Sequence, residues 1–195
     1  MKKILILSLA VLISVPPWLF PQSIGVVSED NGIRHLPSST IFPYPSRKEI
    51  VVHLPEGNQA EESVAVVRYS LQEVPAEIEI RVYPARISLE EEFERIAGAM
   101  QTAGTAEPST RRRQQQRRVS SPFDHPGILC EFSSIPAAGS NEPMRIEVLE
   151  LYQCSDWFLR AQLRTSHDGA PAGRKLLKEL LEEMSWPQPA HTLPI

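Results

Sequence analysis

The sequence predicts an α+β fold, an antiparallel sheet of about six strands with two amphipathic helices packed on it. Two alternating runs and two helical stripes lead to that class. From Glu77 to Tyr83, Ile78, Ile80 and Val82 alternate with Glu77, Glu79 and Arg81. From Trp157 to Thr165, Trp157, Leu159, Ala161 and Leu163 alternate with Arg160, Gln162 and Arg164. A period of two marks half-buried antiparallel strands. Leu89, Phe93, Ile96, Ala97 and Met100 instead share one helical stripe, and Leu176, Leu177, Leu180, Leu181 and Met184 share another. Runs of strands separated by such helices favour a sheet with both helices on one face and the polar strand faces in water.

At the start of the chain, Lys2 and Lys3 precede an apolar run from Ile4 to Val15 that only Ser8 and Ser14 interrupt. This is the charged and then hydrophobic order of a secretory signal. A helix of that length spans about 18 Å against a hydrocarbon core of about 30 Å, so it is short for a stable span. Pro16 and Pro17 stop it, and small residues at Ser23 and Gly25 suit cleavage before Val26. Residues 1–25 are therefore read as a signal sequence, and the protein as exported, periplasmic or extracellular. Membrane tethering by an uncleaved N-terminal segment is the alternative. The full chain has 20 basic and 24 acidic residues, and loss of Lys2 and Lys3 takes the balance from −4 to 18 minus 24, or −6. Such a balance favours solubility and provides no global field for nucleic acid.

Residues 26–48, punctuated by Pro37, Pro43, Pro45 and the turn-like Asp30-Asn31-Gly32, read as an irregular leader. A single α+β domain is expected over 49–186. Strand signals run from Ile50 to Leu54 and from Val64 to Leu71. Ser88 with Glu91 three residues later forms a capping box that starts the first helix, which should end near Gly104. Thr105 to Pro122, with its Arg-Gln run, has no buried face and reads as an exposed loop. Strands return at Gly127–Phe132 and at Met144–Tyr152, where an irregular alternation suggests a bulge. Asp168 suits the start of the final helix, near Pro171. Residues 187–195, with three prolines, form a tail that cannot be helical.

Cys130 and Cys154 are the only two cysteines. An oxidising compartment would permit a disulfide between them. A hairpin of 128–133 with 144–153 centred near Ala138 would set Cys130 opposite about Glu147. Cys154 would then lie seven residues along, roughly 23 Å away and out of bonding reach. Two buried free thiols are the alternative to the bridge.

The order of Val66-Val67-Arg68-Tyr69, the Ile78-Glu79-Ile80-Arg81-Val82-Tyr83-Pro84 strand, the helix from Ser88 and the late Trp157-to-Thr165 strand resembles a group of uncharacterised exported bacterial proteins. It is also similar to the PsbP and Mog1 type of sandwich in element order. The ending Arg164-Thr165-Ser166-His167 departs from the Arg-x-Thr-Tyr-Pro pattern of that group. The resemblance, over roughly Val64 to Trp186, implies export and a compact fold and supplies no site residues.

No Gly-x-Ser-x-Gly elbow, phosphate loop or dinucleotide fingerprint is present. Asp124, His125 and Cys130 can be written as a nucleophilic set, but a core or bridged cysteine explains Cys130 more simply. His35, His53, His125, His167 and His191 lack metal-ligand spacing, and no cofactor is expected. Glu90, Glu91, Glu92 and Glu94 suit the positive end of a helix rather than acid/base chemistry. Trp157 reads as a core anchor.

The strongest outward signal is Arg111, Arg112, Arg113, Arg117 and Arg118, whose planar, permanent charges suit phosphate or carboxylate oxygens. A solvated loop is the plainer reading of the same run. With no interleaved aromatic residues, nucleic acid is disfavoured. The function expected is a non-enzymatic binding or accessory module of the envelope, with an envelope protein or an anionic membrane surface as partner. The alternative is a hydrolase-type enzyme assembled from dispersed polar residues.

Overall fold

The computed structural model describes residues 26–45, 50–53, 64–102, 111–134, 136 and 143–187. The signal-like segment 1–25, residues 103–110 and the tail beyond Pro187 lie outside the described residues. In chain order the elements are β1 (Val26–Glu29), β2 (Gly32–His35), β3 (Thr40–Pro43), β4 (Ile50–His53), β5 (Ala65–Leu71), β6 (Ala76–Pro84), α1 (Leu89–Thr102), β7 (Arg111–Ser120), β8 (Pro126–Ser134), β9 (Arg145–Cys154), β10 (Trp157–Ser166) and α2 (Ala170–Glu183). Seven strands form an antiparallel sheet in the order β4-β5-β6-β10-β9-β8-β7, and β1-β2-β3 form a separate small sheet. The large sheet has one strand more than expected because the Arg-Gln run is β7, an edge strand and not a loop.

The two alternating runs pair with each other. Ile78 faces Leu163, Ile80 faces Ala161 and Val82 faces Leu159, while Glu79 meets Gln162 and Arg81 meets Arg160 on the opposite side. The apolar side takes α2, whose Leu176, Leu177, Leu180 and Leu181 are buried in one core with these strand residues. Each such leucine contributes about 1.5–3 kcal/mol on burial. Close approach at this contact uses Gly173, where a Cβ would come within 2.8 Å of Leu163.

The expectation that both helices share a face is corrected. Leu89, Phe93, Ile96 and Met100 of α1 pack with Ile128, Phe132, Leu149, Leu151 and Phe158 in a second core, and these strand residues point away from α2. Helix α1 lies over β7, β8 and β9, whereas α2 lies over β6 and β10. Apart from Phe158 and Tyr83 at one end, the charged side of β6 and β10 offers α1 little to bury, so its stripe settles on the apolar side of β8 and β9. Strand β9 is consequently buried on both sides, with Val148 and Tyr152 in the α2 core and Leu149 and Leu151 in the α1 core. That accounts for its irregular alternation without a bulge. Its pairing with β8 is continuous, and the register shift lies instead in β7 between Arg113 and Gln116.

The segment expected to be an irregular leader also folds. Val26 to Pro43 forms the small sheet, joined at its first turn by Asp30 and Asn31. Ile33 and Phe42 enter the α2 core. His35, Ser38 and Thr40 form a buried hydrogen-bonded chain with 2.7 Å links, and the His35 ring meets Trp157 edge-on at 5.6 Å. Trp157 itself is buried, as a core anchor should be. Ile41 and Ser185 exchange two backbone hydrogen bonds of 3.1 and 3.0 Å, tying β3 to the residues after α2.

The first helix starts as the capping box requires, with the Glu91 N–H donating to Ser88 Oγ and the Ser88 N–H donating to Glu91 Oε2. Asp168 is exposed and does not cap α2. Gly169 is the N-cap, and its N–H donates to Ser166 Oγ at 3.2 Å. Pro171 supplies the preset backbone angle of the first turn.

Candidate functional site

Because α2 covers β6 and β10, the β7-β8-β9 half of the same face stays open. A groove of about 700 Å³ lies there between the helix and the three strands. Period two decides which strand residues enter it. Leu129 and Glu131 of β8 and Val148, Glu150 and Tyr152 of β9 point to this side, with Arg117 of β7 paired opposite Leu129. Helix α2 contributes Leu177 and Leu181 to the floor and Arg174, Lys178 and Glu182 to the rim. Arg174 donates to Glu131 at 2.6 Å across the groove, and Lys178 and Glu182 stand 3.7 Å apart on successive turns.

Glu150 sits between two buried apolar neighbours on its strand face. Burial pushes its carboxyl above the ordinary value, and the Tyr152 hydroxyl and the Arg117 guanidinium only partly oppose that shift. The Tyr152 O–H donates to Glu150 Oε2 at 2.5 Å, and burial together with this carboxylate raises the phenol in turn. The Tyr152 ring lies over Gly127, where a Cβ would come within 2.4 Å of it. Gly127 therefore makes room for the ring that holds Glu150.

An aromatic cluster borders the Tyr152 end. Trp186 meets Tyr152 edge-on at 5.1 Å, stacks on His125 at 5.6 Å and contacts Phe123 at 6.0 Å. Its indole N–H donates to Leu181 O at 2.8 Å. The Ser121–His125 turn is held by Ser121 Oγ, which accepts from the Phe123 and His125 N–H groups. Burial lowers the His125 imidazole, against an opposing effect of Asp124.

The residues singled out in the sequence are dispersed. Arg117 is at the groove, whereas Arg118 pairs with Glu90 of α1. Arg111, Arg112 and Arg113 pair in register with Ser134, Ser133 and Phe132, and their side chains lie outside the described residues. As an edge strand, β7 uses its charges in the way that discourages further strand addition.

Cys130 pairs with Leu149 rather than Glu147 and belongs to the α1 core, while Cys154 belongs to the α2 core. Both thiols are buried and free, in cores on opposite sides of the sheet, which is the alternative of two buried free thiols. Burial pushes Cys154 up to about 12. The same separation divides Cys130 from His125, which faces Trp186, so the Asp124, His125 and Cys130 set does not assemble. Among the described residues no group of three His, Cys, Asp or Glu is placed to hold a metal ion.

No family model matches the sequence, and no curated protein matches it either. The fold is similar to that of LpqN. This Mycobacterium tuberculosis protein, described as involved in cell envelope biogenesis, aligns at a TM-score of 0.52 with 10% identity over 77% of this chain and 86% of its own. The PsbP protein CyanoP of Synechocystis sp. PCC 6803 aligns at a TM-score of 0.49 with 13% identity over 75% of this chain and 86% of its own. An LpqN-like fold carries no residue roles to this chain at such identity.

Glu150, Tyr152 and Arg174 of the groove, and Trp186 beside it, are residues that sequence reasoning missed. The usable signal was parity, since Glu150 occupies the same strand face as Val148 and Tyr152. A lone carboxylate there must be either satisfied or functional.

Proposed function

We propose that the chain is an exported accessory protein of the envelope that holds a single-chain anionic amphiphile in the groove beside α2. The observation that carries this reading is the composition of that groove. Its 700 Å³ falls within the range of small-molecule sites, about 300–1,000 Å³. Leu129, Val148, Leu177 and Leu181 offer an apolar floor, and Arg117, Arg174 and Lys178 offer cations at the rim. An acyl chain would release water from the floor while its head group meets the guanidinium groups.

Of its nucleophilic and acid/base groups, Ser121 is engaged in turn formation and Glu150 by Tyr152, which favours holding over conversion. The signal-like N-terminus supports export, and the envelope role of LpqN fits a protein of this fold working there. Strand β7, with Arg111, Arg112, Arg113, Arg117 and Arg118, would meet the anionic membrane surface from which such a ligand comes.

Titration with lysophosphatidylglycerol below its critical micelle concentration tests the reading. Trp186 packs on Tyr152 beside the groove, so its fluorescence should change saturably. Affinity should fall about tenfold or more in Leu129→Glu and several-fold in Arg117→Gln, and it should weaken as salt screens the rim. Absence of saturable binding, or equal affinity in the folded Leu129→Glu variant, would overturn the proposal.

A further inference from the structure

The half-face diagonally opposite the groove carries a different kind of site. Helix α1 leaves the β5-β6-β10 part of its own face open, and there the polar sides of three strands form a lattice of guanidinium and carboxylate groups. Arg68 and Arg81 donate to the two oxygens of buried Glu79 at 2.8 and 2.6 Å. On α1, Arg95 grips buried Glu92 with two hydrogen bonds of 2.7 and 2.6 Å, and the Tyr83 hydroxyl donates to the same carboxylate at 2.7 Å. Burial alone would raise both carboxyls, yet these donors outweigh it and hold both below the ordinary value.

Arg160 lies between the two ion pairs and is not fully matched by either. Only 18% of its side chain is exposed, and its nearest carboxylate, Glu79, is 3.9 Å away. One terminal nitrogen donates to Gln162 Oε1. Its buried Nε–H has no hydrogen-bond partner among the described residues. Burial and the neighbouring Arg81 both disfavour its charge. A guanidinium this short of a matching carboxylate retains donor capacity for an added anion, although its Nε–H is itself shielded.

What it faces is a cavity of about 350 Å³ at the start of α1, bounded by Arg81, Arg86, Arg95 and Arg160. Arg86 is exposed and forms no ion pair among the described residues. Five arginines of this lattice, Arg68, Arg81, Arg86, Arg95 and Arg160, face three glutamates, Glu77, Glu79 and Glu92, which leaves an excess of two positive charges. Phe158 and Ile87 supply an apolar wall. Planar forks in a concave, partly dry setting are suited to bidentate binding of a tetrahedral oxyanion.

We propose that this cavity binds the phosphate of a small phosphate monoester, with Arg160 and Arg81 beneath the phosphate, Arg86 at the rim and the ester's apolar body against Phe158 and Ile87. A dianion matches the charge excess, whereas a monocarboxylate leaves half of it uncompensated. This site is separate from the amphiphile groove, across the sheet from it, and stands or falls independently.

Calorimetric titration with phenyl phosphate, with benzoate as the monoanion of similar shape, tests the proposal. Wild type should bind phenyl phosphate saturably and at least tenfold more tightly than benzoate. Arg160→Gln should weaken phenyl phosphate binding about tenfold or more, and the exposed Arg86→Gln should weaken it about three- to tenfold without changing the melting temperature. Lys175→Gln, on the outer side of α2, should leave it unchanged. If Arg160→Gln does not fold, Arg86→Gln decides. No binding by wild type, equal binding of benzoate, or undiminished binding by Arg86→Gln would overturn the proposal. So would binding that falls in Arg117→Gln instead, because that would put the phosphate in the other groove.

Discussion

The two uncovered quarters of the sheet sit on opposite faces and at opposite ends of the strand order, and their chemistry differs. Beside α2, over β7 to β9, an apolar floor is rimmed by charges and carries a half-buried carboxylate, Glu150, held by a tyrosine. Beside α1, over β5, β6 and β10, it is a lattice of arginines and glutamates with a surplus of positive charge. The difference follows from strand alternation. Strands β6 and β10 keep one side that is polar apart from Tyr83 and Phe158 at one end, which α1 touches only there, while β8 and β9 are apolar enough on both sides to receive α1 on one and leave a greasy floor on the other. A helix that covers only half of a face turns the other half into a potential site, and the residues of that half set its ligand class.

The largest effects should come from testing whether the two faces are separate cores. Phe93→Ala in α1 should cost about 3–5 kcal/mol and Leu180→Ala in α2 about 2–5 kcal/mol, read from urea unfolding. Both side chains are almost wholly buried, at 0% and 1% exposure. A loss below about 0.5 kcal/mol at either position would show that its helix does not cover the face assigned to it.

A smaller effect sharpens the groove. Gly127→Ala places a methyl group where the Tyr152 ring lies and should cost about 1–3 kcal/mol, as overpacking does. Trp186 emission should shift as the ring moves, while phenyl phosphate binding across the sheet should be retained. An unchanged spectrum would mean that Tyr152 is not held against Gly127.

The smallest effect concerns Glu150. Its folded carboxyl is raised by burial, so the folded state prefers it protonated. That contribution to stability is complete below the unfolded value and is lost as pH rises through the folded one. Glu150→Gln cannot ionise and can still accept from Tyr152. Its melting temperature should therefore exceed that of wild type at pH 8 and converge with it near pH 4. A difference independent of pH would remove the buried-carboxylate account of the groove.

Part of this was legible in the sequence. Ile78, Ile80 and Val82, with their partners Leu159, Ala161 and Leu163, announced the two central strands, and the Ser88–Glu91 box announced α1, because these signals lie within a few residues of one another. The Arg-Gln run was misread as a loop because an edge strand with charges on its residues shows no apolar alternation. The segment 26–43 was misread because its three four-residue strands contribute only two residues to the hydrophobic core, Ile33 and Phe42, too few to make a pattern.

The sequence by itself determined the central strands β6 and β10 and the two helices, and which side of each is apolar, since those are properties of local periodicity and capping. Only the tertiary structure decided which face of the sheet each helix covers. That choice depends on apolar surface contributed by strands far apart in the chain, such as Ile128, Leu149 and Phe158 beneath α1. It placed Glu150 in one groove and Arg160 in the other, because a site made of the area left uncovered exists only after the covering elements have packed.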